Sequence, residues 1–588
     1  MSEIYGKLNY CYRRWFKSHW PSSPPDDVTN LFNEYKEHDS DKIRIPKLAE
    51  YLEKHQDVAK KDAVKRAQKI VASRKFKGFA NCRRTSLSRK GFFAYLLSSK
   101  NHPLVKKEFD EKAKFVHYFV YTSHGSYLKR NKSKNPIKSA AEDLKTITML
   151  SFPRKYHRGG SKSNSAGDGE PSNNKDKKEQ EKFRNSITAI KKALLMDIRV
   201  IELDVWLNSD KKGINVSHPR IQRQPHSSSI TVENCLETIS ENAFVTSEFP
   251  LIIILVQQFE SDPSDDLQKA IKERIDKFGK KHSLCDLDEA LNATLDSLKQ
   301  KFIILTRKQV KHEPSPTNTK DKKGYIYNYN KKPENNKGIL RLTENEIESA
   351  ISTEYTSLSD QIKTSLTQKE LLAVYPNSDD PAVFTKNFDP LIGWTRGAQM
   401  VAINPQDFDK HLWVMQGLFR AQLGQDSKKP TGYVKKPEIL LNNKIFDPTE
   451  WRPVKTILKV KVYLGTGWHL DFDSEEKDFE SDNSPPDFFT AVEIVGVPVD
   501  EAREKTVPIM DQWVPVWNQE FKFPLTVPEL AMLLIEVKEF DTDRTHDFGG
   551  QTCLPVWLLR SGIRSVPLYD KKGKLHKNAR LLMRFEFN

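Results

Sequence analysis

The chain has no apolar run approaching the ~18 residues of a membrane-spanning helix. The longest, Leu251 to Val256, has the length of a single strand. Cysteine is scarce as well: Cys11, Cys82, Cys235, Cys285 and Cys553 are odd in number, far apart and without a CxxC pair. That excludes a disulfide framework and a cysteine zinc site, and it fits a reducing, intracellular setting. The opening MSEIYGKLNYCYRRWF lacks the apolar core of a signal peptide and a second-position glycine for myristoylation, and the closing RFEFN is no prenylation box. Membrane contact, if made, is expected to be peripheral.

What the chain does have is length and positive charge. Its 588 residues, 37% hydrophobic and 30% charged, predict a soluble globular protein of roughly three or four cores. The net charge of +16 divides unevenly: +11 over residues 1–110, +9 over 111–450 and −4 over 451–588. Residues 61–90 alone supply +10, dense enough to hold lipid or nucleic-acid phosphates by Coulomb attraction. No nucleic-acid reader motif accompanies this segment, so an anionic lipid surface is the expected partner and nucleic acid is not.

Hydropathy patterning divides the chain further. Residues 26–60 space apolar residues at three and four, with a break near Asp39 to Asp41, in the outline of an EF-hand. Position five of that loop is Ile43 and position six is Arg44, where calcium needs an oxygen and the turn needs glycine. A helical scaffold without metal is expected. From Phe115, the runs VHYFVYT, RVIELDVWL, PLIIILVQ and KFIILT alternate with helical stretches and are followed by LLAVYP, AQMVAIN and LWVMQGLF, as parallel strands buried on both faces do. Two polar inserts, 158–182 and 311–338, are too poor in apolar groups to offset the entropy of ordering. After about Glu450, strict alternation in TILKVKVYLG, FTAVEIVGV, QEFKFPLTV, AMLLIEVKEF and LLMRFEFN predicts an antiparallel sandwich.

Taken in order, these stretches resemble phosphoinositide-specific phospholipase C in its short plant form. HYFVYTSHGSYL (117–128) and DIRVIELDVW (197–206) are similar to the X half of its barrel. NFDPLIGWTRGAQMVAIN (387–404), LWVMQGLFRA and GYVKKP are similar to the Y half, and SPPDFFTAVEIVGVP, DQWVPVWNQEFKFPLTVPELAMLLIEV and DFGGQTCLPVW to the C2 domain. The resemblance implies a multidomain α/β plus all-β chain: an EF-hand-like helical region with the basic segment (1–108), an X half (109–310), a polar linker (311–338), a Y half (339–450) that completes a (β/α)8 TIM-type barrel, and a C2 β-sandwich (451–588). It further implies calcium-dependent hydrolysis of phosphatidylinositol 4,5-bisphosphate to diacylglycerol and inositol trisphosphate in intracellular signalling. The expected setting is a monomer in the cytoplasm and on the cytoplasmic face of the plasma membrane.

Carried onto this sequence, the family's first catalytic histidine is His124. The second is His218 or, after the longer RIQRQPHSSS segment, His226. Glu202 and Asp204 are the calcium ligands; two apart on a strand, they share a face. Lys308, or its neighbour Arg307, and Tyr375 are expected at the headgroup. In the C2 domain Asp487, Glu539, Asp541 and Asp547 are the expected calcium and lipid ligands. This chain also departs from the family. Gly125 stands for a calcium-binding asparagine, Val256 for a glutamate and Ala373 for a headgroup arginine. Weakened calcium and headgroup binding, and so impaired turnover, follows from the resemblance; the alternative is a catalytically silent relative that binds calcium and anionic lipid.

Overall fold

The structure, a computed structural model, describes residues 24–73, 85–105, 108–130, 183–208, 213–219, 230–259, 265–310, 325–328, 338–352, 367–377, 386–421, 430–442, 446–471, 485–540 and 547–588. The polar insert 158–182 and most of 311–338 lie outside them. The chain forms two compact units. One comprises residues 108–415 and 422–447; the other joins residues 1–107 and 416–421 to 448–588.

The first unit is a closed barrel. Its strands are β1 (Tyr118–Ser123), β2 (Val200–Leu207) with a hairpin partner β3 (Ile214–Val216), β4 (Leu251–Phe259), β5 (Phe302–Val310), β6 (Tyr325–Asn328), β7 (Ile339–Thr343), β8 (Leu372–Tyr375), β9 (Met400–Ile403) and β10 (Tyr433–Lys435). Hydrogen bonding runs β1-β9-β8-β7-β6-β5-β4-β2 and returns to β1 through Thr122 and Val200. β2 and β4 are buried on both faces almost throughout, which is why they read as unbroken apolar runs. Helices such as Ile187–Leu195 and Val232–Asn242 connect the strands. Alternate residues meet inside: Val120, Val200, Ile252, Ile254, Val256, Ile303, Leu305, Ile339, Ala373, Tyr375, Met400 and Ala402 belong to one core. Besides the antiparallel hairpin partner β3, two strands depart from the parallel scheme. β10 runs antiparallel along β1. β6 falls within the span expected to be polar linker and lies antiparallel between β5 and β7; burial of Ile326 in the barrel core offsets the cost of ordering it.

The second unit contains α1 (Asp26–Tyr35), α2 (Ile45–His55), α3 (Lys60–Val71), α4 (Arg89–Leu96) and a sandwich. The sandwich strands are β11 (Thr456–Thr466), β12 (Phe488–Val495), β13 (Ala502–Lys505), β14 (Val516–Leu525), β15 (Met532–Glu539), β16 (Phe548–Pro555), β17 (Gly562–Tyr569) and β18 (Leu575–Phe587). They form two four-stranded halves, β13-β12-β15-β16 and β17-β18-β11-β14, joined by the single pair Gln551 and Tyr569. Phe32, Tyr51 and Phe92 of the helices share a core with Tyr463, Leu464, Ile563 and Leu582 of the sandwich. In the EF-hand outline, Asp41 pairs with Arg89 at 3.1 Å, and Glu50 pairs with both Lys47 and Lys54 at 2.9 Å. Of the basic segment, residues 61–73 and 85–90 are described.

Candidate active site

The barrel gathers its polar side chains at the carboxyl ends of its strands. His124 directly follows β1, and its backbone N–H donates to the Ile403 carbonyl at 2.8 Å, which ties the end of β1 to the end of β9. The buried imidazole has its Nδ1 3.1 Å from Asn404 Oδ1. Asn404 Nδ2 donates to the Lys386 carbonyl at 3.0 Å, which fixes that amide with its oxygen toward the ring. His124 therefore carries its proton on Nδ1 and presents Nε2 to the cavity. There Nε2 lies 3.8 Å from Glu202 Oε1.

Glu202 and Asp204 project from β2 to the same interior face, and both are buried. Tyr127 Oη donates to Asp204 Oδ2, and Gln258 Nε2 donates to Oδ1 at 2.6 Å. Burial and the charge of Glu202 together push the Asp204 carboxyl up to about 6. Glu202 Oε2 is buried without a hydrogen-bond partner. Two desolvated, mutually repelling acids with an orphaned oxygen suit a hard cation, and Glu202 and Asp204 are the residues that would hold one. The fit is sparse. Among the described residues no His, Cys, Asp or Glu completes a group of three, so water and substrate oxygens would fill the rest of the shell.

β3 leads into His218. Ser217 N–H donates to the Asp204 carbonyl at 3.0 Å, and Trp206 Nε1 donates to the Ser217 carbonyl at 2.7 Å. These bonds hold the buried His218 ring 6.5 Å from His124, centroid to centroid, nearly perpendicular to it. His226 lies outside the described residues. Tyr375, at the end of β8, meets His124 edge-on at 5.9 Å. One face of its ring is covered by the Arg341 guanidinium, 4.2 Å from the centroid. Alternation from Ile303 and Leu305 puts position 307 on the interior face of β5, and the Lys308 side chain lies outside the described residues. Arg307 is the interior cation, and burial and Arg341 lower its pKa to about 10.

The substituted positions also fall at this mouth. Gly125 has φ +58°, a conformation that asparagine tolerates better than most residues. Val256 sits beside Asp204 on one side and Arg307 on the other. Sequence reasoning assigned no role to Tyr127, Gln258, Asn404 or Arg341. Signals were present: Gln258 lies two residues after Val256 on the same strand face, and Arg341 interrupts the apolar alternation of ILRLT.

In the sandwich, Phe540 N–H donates to the Asp487 carbonyl at 2.7 Å and Glu539 N–H to the Asp547 carbonyl at 2.8 Å. These bonds bring Asp487, Glu539 and Asp547 to one end of the sheet. Asp487 Oδ1 accepts from the Asp511 N–H at 2.7 Å. Asp541 lies outside the described residues.

A closed barrel with imidazoles and carboxylates at the carboxyl ends of its strands, in one chain with an antiparallel β-sandwich, defines a barrel enzyme. Residues 172–308 match the phosphatidylinositol-specific phospholipase C X domain, residues 318–439 its Y domain and residues 457–567 the C2 domain. Phosphoinositide phospholipase C 2 of Arabidopsis thaliana is 32% identical over the full length of both chains. Phosphoinositide phospholipase C 1 of the same plant is 33% identical over 98% of each. The crystal structure of S. officinalis PLC21 superimposes with a TM-score of 0.66 over 96% of this chain and 68% of that one; at 17% identity it speaks to the fold. The chain belongs to the phosphoinositide-specific phospholipase C family, whose members are hydrolases and, like C2 domains, generally depend on calcium.

Proposed function

We propose that this chain hydrolyses phosphatidylinositol 4,5-bisphosphate to diacylglycerol and inositol trisphosphate, with calcium, at the barrel mouth. The observation that supports this best is the pair of facing imidazoles, His124 and His218, beside two buried carboxylates. In this reading the inositol 2-hydroxyl attacks phosphorus as its proton passes to the Glu202 carboxylate, which returns it to that oxygen when the cyclic phosphate later opens, and the bond to the glycerol oxygen breaks. His218 protonates that leaving oxygen as diacylglycerol departs. The same imidazole then takes a proton from the water that opens the cyclic phosphate. His124, its Nδ1–H held by Asn404, directs Nε2 at the phosphoryl oxygens and donates to the charge that develops there. A bound calcium would lower the 2-hydroxyl pKa and neutralise phosphate charge. With Gly125 and Val256 supplying no oxygen, calcium affinity and turnover are lower than the family pattern provides.

Delivery to the bilayer is proposed to be peripheral. No helix among the described residues is long and apolar enough to cross a membrane. Asp487, Glu539, Asp541 and Asp547 are proposed to bridge calcium to anionic lipid. Met510 and Phe540 are exposed and adjoin this end of the sheet. The proposed setting is the cytoplasmic face of the plasma membrane, with the chain acting as a monomer.

One observation favours the second reading, a silent lipid-binding relative: Tyr127 and Gln258 already donate to both oxygens of Asp204. Product analysis separates the two. The full chain, incubated with vesicles containing phosphatidylinositol 4,5-bisphosphate, is expected to release a cyclic inositol phosphate followed by the acyclic product. Calcium-dependent vesicle binding with no product at any calcium level would leave only the silent binder.

A further inference from the structure

His124 and His218 reach the barrel mouth from different strands, and two groups that act on one phosphodiester must have their spacing held. Among the described residues, a short antiparallel pair of segments outside the barrel sheet runs between them. Leu128–Arg130, just after His124, pairs with Phe183–Asn185, and Leu128 stands opposite Asn185. Leu128 N–H donates to the Gly125 carbonyl at 2.8 Å, which closes the turn leading into this pair, and Ser186 N–H donates to the Tyr127 carbonyl at 2.7 Å. Asn185 is thereby fixed to the backbone that carries His124.

The Asn185 side chain reaches the other histidine's segment. Its Nδ2 donates to Ser217 Oγ at 2.9 Å, and both residues are buried. Ser217 immediately precedes His218. The N–H and carbonyl of Ser217 are held by the Asp204 carbonyl and by Trp206 Nε1, both on β2. The bond from Asn185 is of a different kind, because it ties the His218 segment to the loop that follows β1. A buried amide–hydroxyl bond is costly to break, since water cannot replace either partner there. The reaction as proposed above uses neither Asn185 nor Ser217.

We propose that Asn185 is a positioning residue for His218: through Ser217 it holds the imidazole where it protonates the leaving glycerol oxygen while His124 faces the same phosphoryl group. This rests on the proposed phosphodiesterase function and on the general-acid role given there to His218. What Asn185 governs is the delivery of one proton, so its loss falls on a leaving group that needs that proton.

The test compares two substrates of the full chain at saturating calcium. One is phosphatidylinositol 4,5-bisphosphate in vesicles, whose glycerol oxygen must be protonated as it leaves. The other is the soluble 4-nitrophenyl phosphodiester of inositol 4,5-bisphosphate, whose nitrophenolate leaves without a proton. Asn185→Leu is expected to lower kcat on the vesicles about tenfold with KM changed less than about twofold, and to lose no more than about twofold on the nitrophenyl ester. Ser217→Ala removes the acceptor with a smaller change in packing and is expected to give the same pattern. The double variant is expected to lose no more than either single one, because both break the same bond. Equal loss on the two substrates, additive losses in the double variant, or an unchanged vesicle rate in both single variants would overturn the inference. If His218→Ala loses equally on both substrates, the inference falls and hydrolysis at the barrel mouth stands. If the wild-type chain cleaves neither substrate, both fall.

Discussion

Asn404 decides what His124 can do. With Nδ1–H donated to its side-chain oxygen, the ring has one defined tautomer and a free Nε2 facing Glu202. Asn404→Leu removes that acceptor and leaves the imidazole free to rotate and to exchange tautomers. The expected result is a fall in kcat of about 10- to 100-fold with a much smaller change in KM. Steady-state kinetics on mixed vesicles measures the split, and a change in KM alone would contradict the role. Gly125 and Val256 make the complementary case. A Cβ at Gly125 meets the flexible Leu128 Cδ1 at 3.0 Å and little else, and the φ of +58° suits asparagine. Val256→Glu adds a carboxylate next to Asp204, in reach of Arg307. The double variant Gly125→Asn, Val256→Glu is expected to lower the calcium concentration for half-maximal activity by roughly tenfold, through two added oxygen ligands. An unchanged calcium curve would show that these positions do not face the cation. At this scale the sequence was most informative where chemistry sits inside a recognisable stretch, as for His124, Glu202, Asp204 and His218. Arg341 and Gln258 escaped because their meaning depends on which strand lies alongside, and register is written in no local pattern.

Among the elements, the strands that form unbroken apolar runs were legible because burial on both faces leaves a strong compositional mark. β6 was not legible, since the sequence around it is polar and Ile326, its one described side chain, supplies the burial. β10 shows how closely the barrel is closed. Gly432, which precedes it, has φ +71°, and a Cβ there would lie 2.3 Å from the Asp197 carbonyl oxygen and 2.5 Å from Arg199 Cγ. Gly432→Ala therefore combines backbone strain with a clash against main chain. It is expected to cost about 1–3 kcal/mol of stability, read as a lower Tm of the full chain. An unchanged Tm would mean that the β1–β10 contact is looser than this geometry requires.

On the scale of the whole molecule, sequence patterning separated helical region, barrel and sandwich, yet it gave no sign that the helices and sandwich build one core. That association is carried by single residues far apart in sequence. Arg564 is fully buried and donates to the Gln56 carbonyl at 2.6 Å and to Asn101 Oδ1 at 3.1 Å. Deleting residues 1–107 strips those acceptors and exposes Tyr463, Ile563 and Leu582. A sandwich of residues 448–588 expressed alone is expected to unfold at lower temperature, or to aggregate, relative to the same sandwich in the full chain. Equal thermal stability would show that the helices are dispensable to it. The +16 charge also gains a place: the excess lies in the N-terminal and barrel residues, whereas the sandwich segment is net acidic. The central claim is that the barrel still cuts phosphoinositide despite its reduced set of calcium ligands. The most direct measurement is inositol phosphate release from phosphatidylinositol 4,5-bisphosphate vesicles across a calcium titration, with His124→Ala alongside. The account predicts release that rises with calcium and is abolished in His124→Ala; release that persists in that variant, or is absent at every calcium concentration, would contradict it.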